Sequence, residues 1–537
     1  MHSITYTVLS FFVLALVSHA CYTSWKIKRY LHILQLNSYF NKRYLVWLNR
    51  RKLRAFPIKE LAPLVALLGV FFQVPLVILV LFILAYFRLF LLRTRLPEKK
   101  PLVFTARASR LFGANIILLI AIYLLSFVVW WHHGDVWVAT TLVVLVFYNF
   151  FVPIILMLVN LLILPLEQLI QRWYFLDAHN RISKLSNLKV VGITGSFGKT
   201  TTKYVLAEIL RQKFNTLMTP GSYNTTMGVT KTIRSELKPT HDVFVVEMSA
   251  KKPGDIKELC DLVKPQYGLI TAVGEQHLET FKTLENIKKT KGELIESLPS
   301  NGVAVFNMDD INCQEIARAA KCRVVGYGID KDGVDYRVKD LTINEHGSNF
   351  TVIRARDNSQ VVFQTRLLGR HNIYNILGAI ALASELGVEL REMLYPVRQL
   401  VAIPHRLELK RIGADIIFID DAFNSNPIGS KMALEVLEKI SGKRKIIITP
   451  GMIELGPKEG EYNERFGEYI AQACDYVILV GKEQTVAIRR GLKTKIYPES
   501  QLFVATDFAE AKQHLEQILQ AGDVVLFEND LPDNYNE

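Results

Sequence analysis

Acidic residues are scarce in the first third of this 537-residue sequence: residues 1–180 hold five Asp and Glu against 18 Lys and Arg. Residues 181–537 hold 46 of each sign, so the whole formal excess of +13 lies in the first third, among long apolar runs. A nucleic-acid surface would carry its basic excess on a soluble domain, so nucleic acid is excluded as a partner and membrane flanks are expected instead. Cysteine is also scarce. The five thiols, Cys21, Cys260, Cys313, Cys322 and Cys474, form no CxxC and no Cys/His pair at metal spacing. A disulfide scaffold and a zinc site are therefore excluded, and a reducing compartment is expected. No long repeat or low-complexity stretch occurs, and half of the residues are hydrophobic, which excludes disorder and collagen.

Four apolar runs occupy residues 4–20, 61–87, 113–131 and 136–166. Each is long enough to cross about 30 Å of hydrocarbon. No Lys or Arg precedes the first, so a retained anchor is expected rather than a signal peptide. Loop 23–60 carries ten Lys/Arg and loop 93–111 six, whereas His132-His133-Gly134-Asp135 carries none. Positive residues stay cytoplasmic, which puts both basic loops on one side. The run 61–87 is then expected to turn back near Gly69, Gln73 and Pro75 as a hairpin; the alternative is an ordinary span that breaks the rule. Arg88 at a run edge reads as snorkelling, and no chain of buried carboxylates marks an ion path. Trp130, Trp131 and Trp137 suit an interfacial belt.

From Leu188 the pattern changes. Short apolar strands are expected at residues 190–193, 243–247 and 267–271, each separated from the next by a helical stretch. That alternation implies a parallel sheet covered on both faces. Residues 323–368 switch to period two, so antiparallel strands are expected there. A helix over 372–386 ends at Gly387. After Pro404, strands at 416–419, 445–448 and 476–480 alternate with helices. The expected fold is an N-terminal α-helical transmembrane region followed by α/β: a P-loop parallel-sheet ATPase domain and a C-terminal Rossmann-like domain. The expected boundaries are 1–180 for the transmembrane and juxtamembrane basic region, 187–402 for the central ATP-binding domain and 403–537 for the C-terminal domain.

The segment Gly195-Ser196-Phe197-Gly198-Lys199-Thr200-Thr201-Thr202 lies between a strand and a helix. Glycines let the backbone curl so that N–H groups face phosphate, and the helix N-terminus adds a favourable dipole. Lys199 can neutralise β/γ-phosphate charge, and the Thr200 hydroxyl can ligate Mg²⁺. The strict P-loop pattern wants glycine at 193, where this sequence has Ile193. Glu247 ends one strand and His277 follows another. Parallel strands bring such ends to the edge that carries the phosphate loop. A carboxylate and an imidazole there can hold a divalent ion directly or through water; either alone is more often structural.

These residues form a larger set: GITGSFGKTTTK, Glu247, GEQHLE, KTKGE at 289–293, NMDD at 307–310, GRHNIYN at 369–375, PHRLE at 404–408, DDAFNSNP at 420–427 and GMIELG at 451–456. In order and spacing the set resembles the Mur ligases over about residues 188–530, nearest the branch that adds D-alanyl-D-alanine to the peptidoglycan precursor. The resemblance implies ATP-dependent amide formation through an acyl phosphate, with ATP and Mg²⁺ as cofactors. It implies metal binding by Thr200 and Glu247 with help from His277, and catalytic roles for Lys199, His277 and Lys291. Lys291 matches the family lysine that is carbamylated; the bland reading is an exposed helix lysine. Asn307 and Asn375 match residues near adenine. Arg406 and Asp421 match C-terminal-domain residues that meet the nucleotide on closure, with Asn424 near them. Gly195, Ser196, Gly198, Lys199, Thr200 and Thr201 complete the expected nucleotide site.

The sequence departs from the family in three places. Apolar runs replace the N-terminal domain that grips the uridine nucleotide. Position 451 is Gly where Asp is common, and LFENDLPDNY replaces the usual Lys-Gly-Ser ending. The basic, ring-rich stretch 26–56 reads as an interfacial amphipathic helix or as a platform for an anionic or lipid-linked substrate. The expected protein is a multi-pass, membrane-anchored ligase of the inner or plasma membrane with its catalytic domains in the cytoplasm. Its expected partners are membrane lipid, a peptide or sugar-peptide acceptor, soluble or lipid-linked, and an amino acid or dipeptide amine. Two alternatives stand beside it: a catalytically silent ligase-fold scaffold at the membrane, and an ATP-driven transporter.

Overall fold

The computed structural model describes residues 2–72, 75–93, 101–133, 136–344, 346–413, 415–423 and 425–530. Gln73, Gly134, Asp135, Asn424 and the end of LFENDLPDNY, all singled out in the sequence, lie outside the described residues. The chain divides into two compact units, Met1–Ile170 and Gln171–Leu531.

The first unit is helical. Helices α1 (His2–Leu36), α2 (Pro75–Leu91), α3 (Ala106–His133) and α4 (Val136–Ser183) account for most of it. Among the described residues, three stretches are long and apolar enough to cross a membrane, Thr7–Leu36, Ala106–His132 and Trp137–Ser183. The run expected at 61–87 is in two arms, a 3₁₀ helix Ile58–Phe72 and α2. The arms share one apolar cluster, in which Ala66 packs with Ile78, Leu79 and Phe82. Glu60 and Leu89, from the outer ends of the two arms, line the same small pocket, so the run folds back on itself.

Two expectations for this region change. The stretch 26–56 is not a separate amphipathic helix: α1 has no Gly or Pro to stop it and continues to Leu36, followed by short helices Asn41–Arg50 and Lys52–Ala55. Charge is also buried among the helices. Lys26 pairs with Glu60, and Arg110 makes two hydrogen bonds to Glu167 at 2.6 and 2.7 Å. Because α1 runs past residue 20, Lys26 falls on its packed face.

The second unit carries two sheets. The first comprises β1 (Lys189–Thr194), β2 (Thr216–Met218), β3 (Val243–Glu247), β4 (Tyr267–Ile270), β5 (Val303–Asn307), β6 (Arg323–Gly328), β7 (Tyr336–Asn344), β8 (Gly347–Arg354) and β9 (Ser359–Thr365). Their order is β2-β3-β1-β4-β5-β6-β7-β8-β9. The pairings from β2 to β7 are parallel; β8 and β9 are antiparallel. Antiparallel pairing therefore begins only at β7, because residues 323–328 extend the parallel part. Every residue of β1 after Lys189 and all of β3 are buried, as expected for strands covered on both faces. Helices α5 (Lys199–Leu210), α6 (Leu284–Glu296) and α7 (Arg370–Glu385) pack on this sheet.

The second sheet has β10 (Glu408–Ile412), β11 (Ile416–Asp421), β12 (Arg444–Thr449), β13 (Tyr476–Val480), β14 (Leu502–Ala505) and β15 (Asp523–Glu528) in the order β10-β11-β15-β12-β13-β14. Only the edge strand β10 is antiparallel. Helices α8 (Pro427–Lys439) and α9 (Glu459–Ala473) contribute Leu434, Leu437, Phe466 and Ile470 to its core.

Leu206 of α5 is fully buried beside Ile193 and Val245. Leu206→Ala leaves a cavity and is expected to cost about 2–5 kcal/mol. A fall of several degrees in the thermal unfolding midpoint, without loss of the helical circular-dichroism signal, checks it.

Candidate active site

The phosphate loop is built by the turn between β1 and α5. Gly195 has φ 151° and Gly198 φ 80°, backbone that a side chain strains to adopt. A Cβ on Gly195 would lie 2.0 Å from Thr271 Oγ1, and one on Gly198 would lie 2.3 Å from Asn375 Oδ1. The loop is pinned from the sheet side: Ser196 N donates to the Ala272 carbonyl at 2.7 Å, and Ser196 Oγ to the Gly274 carbonyl at 2.8 Å. Thr201 follows half-buried in the first turn of α5. Lys199 curls back over the loop and donates to the carbonyls of Gly195 at 2.7 Å and Ser196 at 3.1 Å. Burial draws its ammonium down to about 8, with Glu247 opposing and Arg406 reinforcing the shift.

Glu247 is the buried centre of the site. Thr200 Oγ1 donates to its Oε1 at 3.1 Å, and Asn224 Nδ2 to the same oxygen at 2.9 Å. Lys203 Nζ lies 3.1 Å from Oε2 and donates to the Gly221 carbonyl at 2.7 Å. Burial works against ionisation of this carboxyl, but Lys203 and the hydrogen bond from Asn224 outweigh it and hold it below the ordinary glutamate value. Lys203 and Asn224 escaped the sequence reading. Lys203 sits one helical turn after Lys199 on the buried face, a spacing that could have signalled it.

The donor set fits a magnesium ion. Glu247 Oε2 is buried, faces Lys203 and accepts no hydrogen bond. One carboxylate and one hydroxyl beside a phosphate loop are what Mg²⁺ uses when substrate phosphates and water supply the rest. Among the described residues no cluster of three or more His, Cys, Asp or Glu forms a self-contained metal cage. His277 takes a different partner. It has φ 52°, and its Nδ1 lies 2.5 Å from Glu454 Oε2 in the C-terminal sheet domain. Among the described residues no hydrogen bond joins His277 to Thr200 or Glu247.

Lys291 is buried in α6 rather than exposed. Burial and the nearby Lys199 charge hold its ammonium well below the ordinary lysine value, which favours the neutral amine. Asn307, at the end of β5, accepts from Asp309 N at 3.1 Å. Asp309 in turn accepts from Tyr374 at 2.8 Å, next to Asn375. Asn375 Oδ1 accepts from Thr202 Oγ1 at 3.2 Å, so this helix abuts the phosphate loop.

The C-terminal sheet domain closes over the loop. Arg406 stacks on Phe423 at 4.2 Å, and its charge is felt by Lys199 and Lys203. Asp421 Oδ1 accepts from Leu407 N at 3.2 Å. It is paired in register with Glu528, the third residue of LFENDLPDNY. Burial raises both carboxyls. Around His277, Glu275 receives Lys458 at 2.8 Å and also the Tyr462 hydroxyl. Glu454, Lys458 and Tyr462 were not picked out as site residues. Their partners lie far away in sequence, and only GMIELG pointed to one of them.

Gly198→Ala would drive a methyl group into Asn375 and strain the turn. Nucleotide affinity is expected to fall at least about tenfold, since even a modest shift of the loop amides weakens phosphate contacts. Equilibrium binding of ATP to the full chain checks it.

Comparison with known proteins agrees with this geometry. The Mur ligase middle domain matches residues 193–383, and the Mur ligase glutamate ligase domain matches residues 405–528. The UDP-N-acetylmuramoyl-tripeptide–D-alanyl-D-alanine ligase of Escherichia coli is 31% identical over 339 residues, covering 62% of this chain and 74% of the relative. The ligase of the same name from Bacillus subtilis is 29% identical, with coverages of 63% and 72%. Among solved structures, MurF from Acinetobacter baumannii superposes with a TM-score of 0.62 at 26% identity, covering 68% of this chain and 78% of that one. The MurF ligase of Thermotoga maritima in complex with ADP gives a TM-score of 0.59 at 27% identity, with coverages of 67% and 80%. On sequence, fold and site together, this chain belongs to the Mur ligase family of ATP-dependent ligases.

Proposed function

We propose that this chain is a MurF-type ligase held at the membrane by its N-terminal helices, with its catalytic unit in the cytoplasm. It joins a dipeptide, D-alanyl-D-alanine in the relatives' names, to the carboxylate of a peptidoglycan-precursor peptide. The observation that carries this reading is the Lys199–Thr200–Glu247–Lys203 cluster beneath a phosphate loop, with Arg406 reaching it from the C-terminal domain. The long apolar helices of the first unit and the basic residues that flank them support membrane anchoring.

The chemistry runs in two steps. An acceptor carboxylate oxygen attacks the γ-phosphorus of ATP; ADP leaves and an acyl phosphate forms. The amine nitrogen then attacks the acyl carbon, loses a proton, and phosphate departs with its oxygen as the amide forms. A carboxylate is a poor electrophile, and phosphorylation supplies the leaving group. Loop amides and Lys199 orient the triphosphate and offset the repulsion between two anions. Thr200 and Glu247 would hold Mg²⁺, which adds Lewis-acid polarisation of the phosphates. Lys291, held low by burial and so readily unprotonated, is suited to take up CO₂ with loss of a proton, and the carbamate formed would be an anionic group able to help hold Mg²⁺. Arg406 and Asp421 complete the nucleotide pocket on closure, and Asn307 and Asn375 flank the base. The His277–Glu454 contact joins the loop after β4 to the C-terminal sheet domain, and His277 would help hold a second ion.

Phosphate release by the full chain in detergent tests the reading. It is expected to require ATP, a peptide acceptor and D-alanyl-D-alanine together; release that ignores the acceptor and amine would sink it. Lys199→Ala is expected to lower turnover at least about a thousandfold while the protein stays folded, in line with losing a transition-state charge contact. Lys291→Ala is expected to cut kcat far more than it raises the KM for ATP. For the anchor, alkaline carbonate is expected to leave the chain in the membrane pellet; release into the supernatant would refute anchoring.

A further inference from the structure

One charged pocket of the helical unit takes no part in this chemistry. It lies where the second half of α1, the start of the 3₁₀ arm and the end of α2 meet. Its floor is built from buried groups. Lys26 is 1% and Glu60 3% exposed, and they are ion-paired. The Tyr22 hydroxyl donates to Glu60 Oε1 at 2.9 Å, and Lys26 Nζ donates to the Asn149 carbonyl at 2.9 Å. This floor is electrically neutral within itself.

The rim is not neutral. Arg29, Lys59 and Arg93 line the same pocket from three different elements. None of the three has an acidic partner among the described residues. Two are fixed by their own neighbours: Arg29 stacks on Trp25 at 5.6 Å, and Arg93 lies 3.5 Å from the Phe90 ring while donating to the Phe90 carbonyl. Three cations lining one pocket favour an anion there. Each also sits at the polar edge of an apolar segment. On α2, Leu84, Phe87 and Leu91 form an exposed apolar stripe at helical spacing, on the face turned away from Leu89, which lines the pocket. Cations gathered at the ends of apolar segments match a ligand whose phosphate stays at the membrane surface while its hydrocarbon lies below.

We propose that this pocket binds the phosphate-bearing headgroup of an anionic lipid. The proposal rests on the membrane reading of the first unit. In this arrangement the headgroup would be bound by Arg29, Lys59 and Arg93 over the Lys26–Glu60 floor.

The test uses the full chain in neutral detergent doped with phosphatidic acid and phosphatidylcholine, with retained lipid read by native mass spectrometry. Wild type is expected to retain phosphatidic acid in preference. Combined Arg29→Gln, Lys59→Gln and Arg93→Gln is expected to lower that preference about tenfold or more. Lys42→Ala with Lys52→Ala, in the same basic region but outside the pocket, is expected to leave it unchanged. Equal retention by wild type and the triple variant overturns the proposal. So does displacement of the lipid by equimolar inorganic pyrophosphate, which would assign the pocket to a soluble phosphate. If the triple variant loses ATP-dependent phosphate release, the three single variants decide: each lowers the preference, or the proposal falls. Carbonate extraction reports separately on anchoring, so a failure of the pocket and a failure of the membrane reading remain distinct.

Discussion

A single buried carboxylate organises the catalytic unit. Glu247 ends a fully buried strand, and leaving it there unpaired would cost several kcal/mol. The fold answers with Lys203, Thr200 and Asn224, from two different segments, all aimed at its two oxygens. Those partners in turn fix the first turn of α5 and hence the phosphate loop that precedes it. The loop glycines then have no room to change: Thr271 and Asn375 press against the positions where side chains would begin. The nucleotide site is thus a consequence of satisfying one charge inside a parallel sheet.

Much of this was legible in the sequence because strand–glycine turn–helix is a local pattern. Residues 195–201, Glu247 and the βα alternation all follow from spacing and polarity within short windows. What escaped was non-local. Lys203 looks like any helix lysine until Glu247, 44 residues on, is seen to face it. Glu454 pairs with a histidine 177 residues away, and no local signal joins the two. Lys291 was singled out only through the family pattern; that helix packing buries it, rather than leaving it exposed beside Lys288 and Lys289, no local signal shows. The antiparallel pattern was read too early: β6 pairs parallel with both β5 and β7, and only from β7 do the strands turn antiparallel.

The helical unit teaches the same lesson with the opposite sign. Positive residues flanking apolar runs were counted correctly as a distribution, and the fold-back of the run at 61–87 followed from that count. Lys26 and Glu60 flank apolar runs as expected, yet both are buried. Burial of one made burial of the other necessary, and together with Tyr22 they form a neutral plug. Once charges pair internally, hydropathy no longer reports where a helix can pack.

The polar clasp between the loop after β4 and the C-terminal sheet domain has a consequence for the working cycle. Glu275 and His277 meet Lys458, Tyr462 and Glu454 through a handful of polar contacts at a partly exposed seam, while each sheet keeps its own apolar core. Such a seam can part and re-form without disturbing either core. Spent nucleotide then has an exit whose opening is governed by ionic strength and by a few surface side chains, rather than by the stability of the fold.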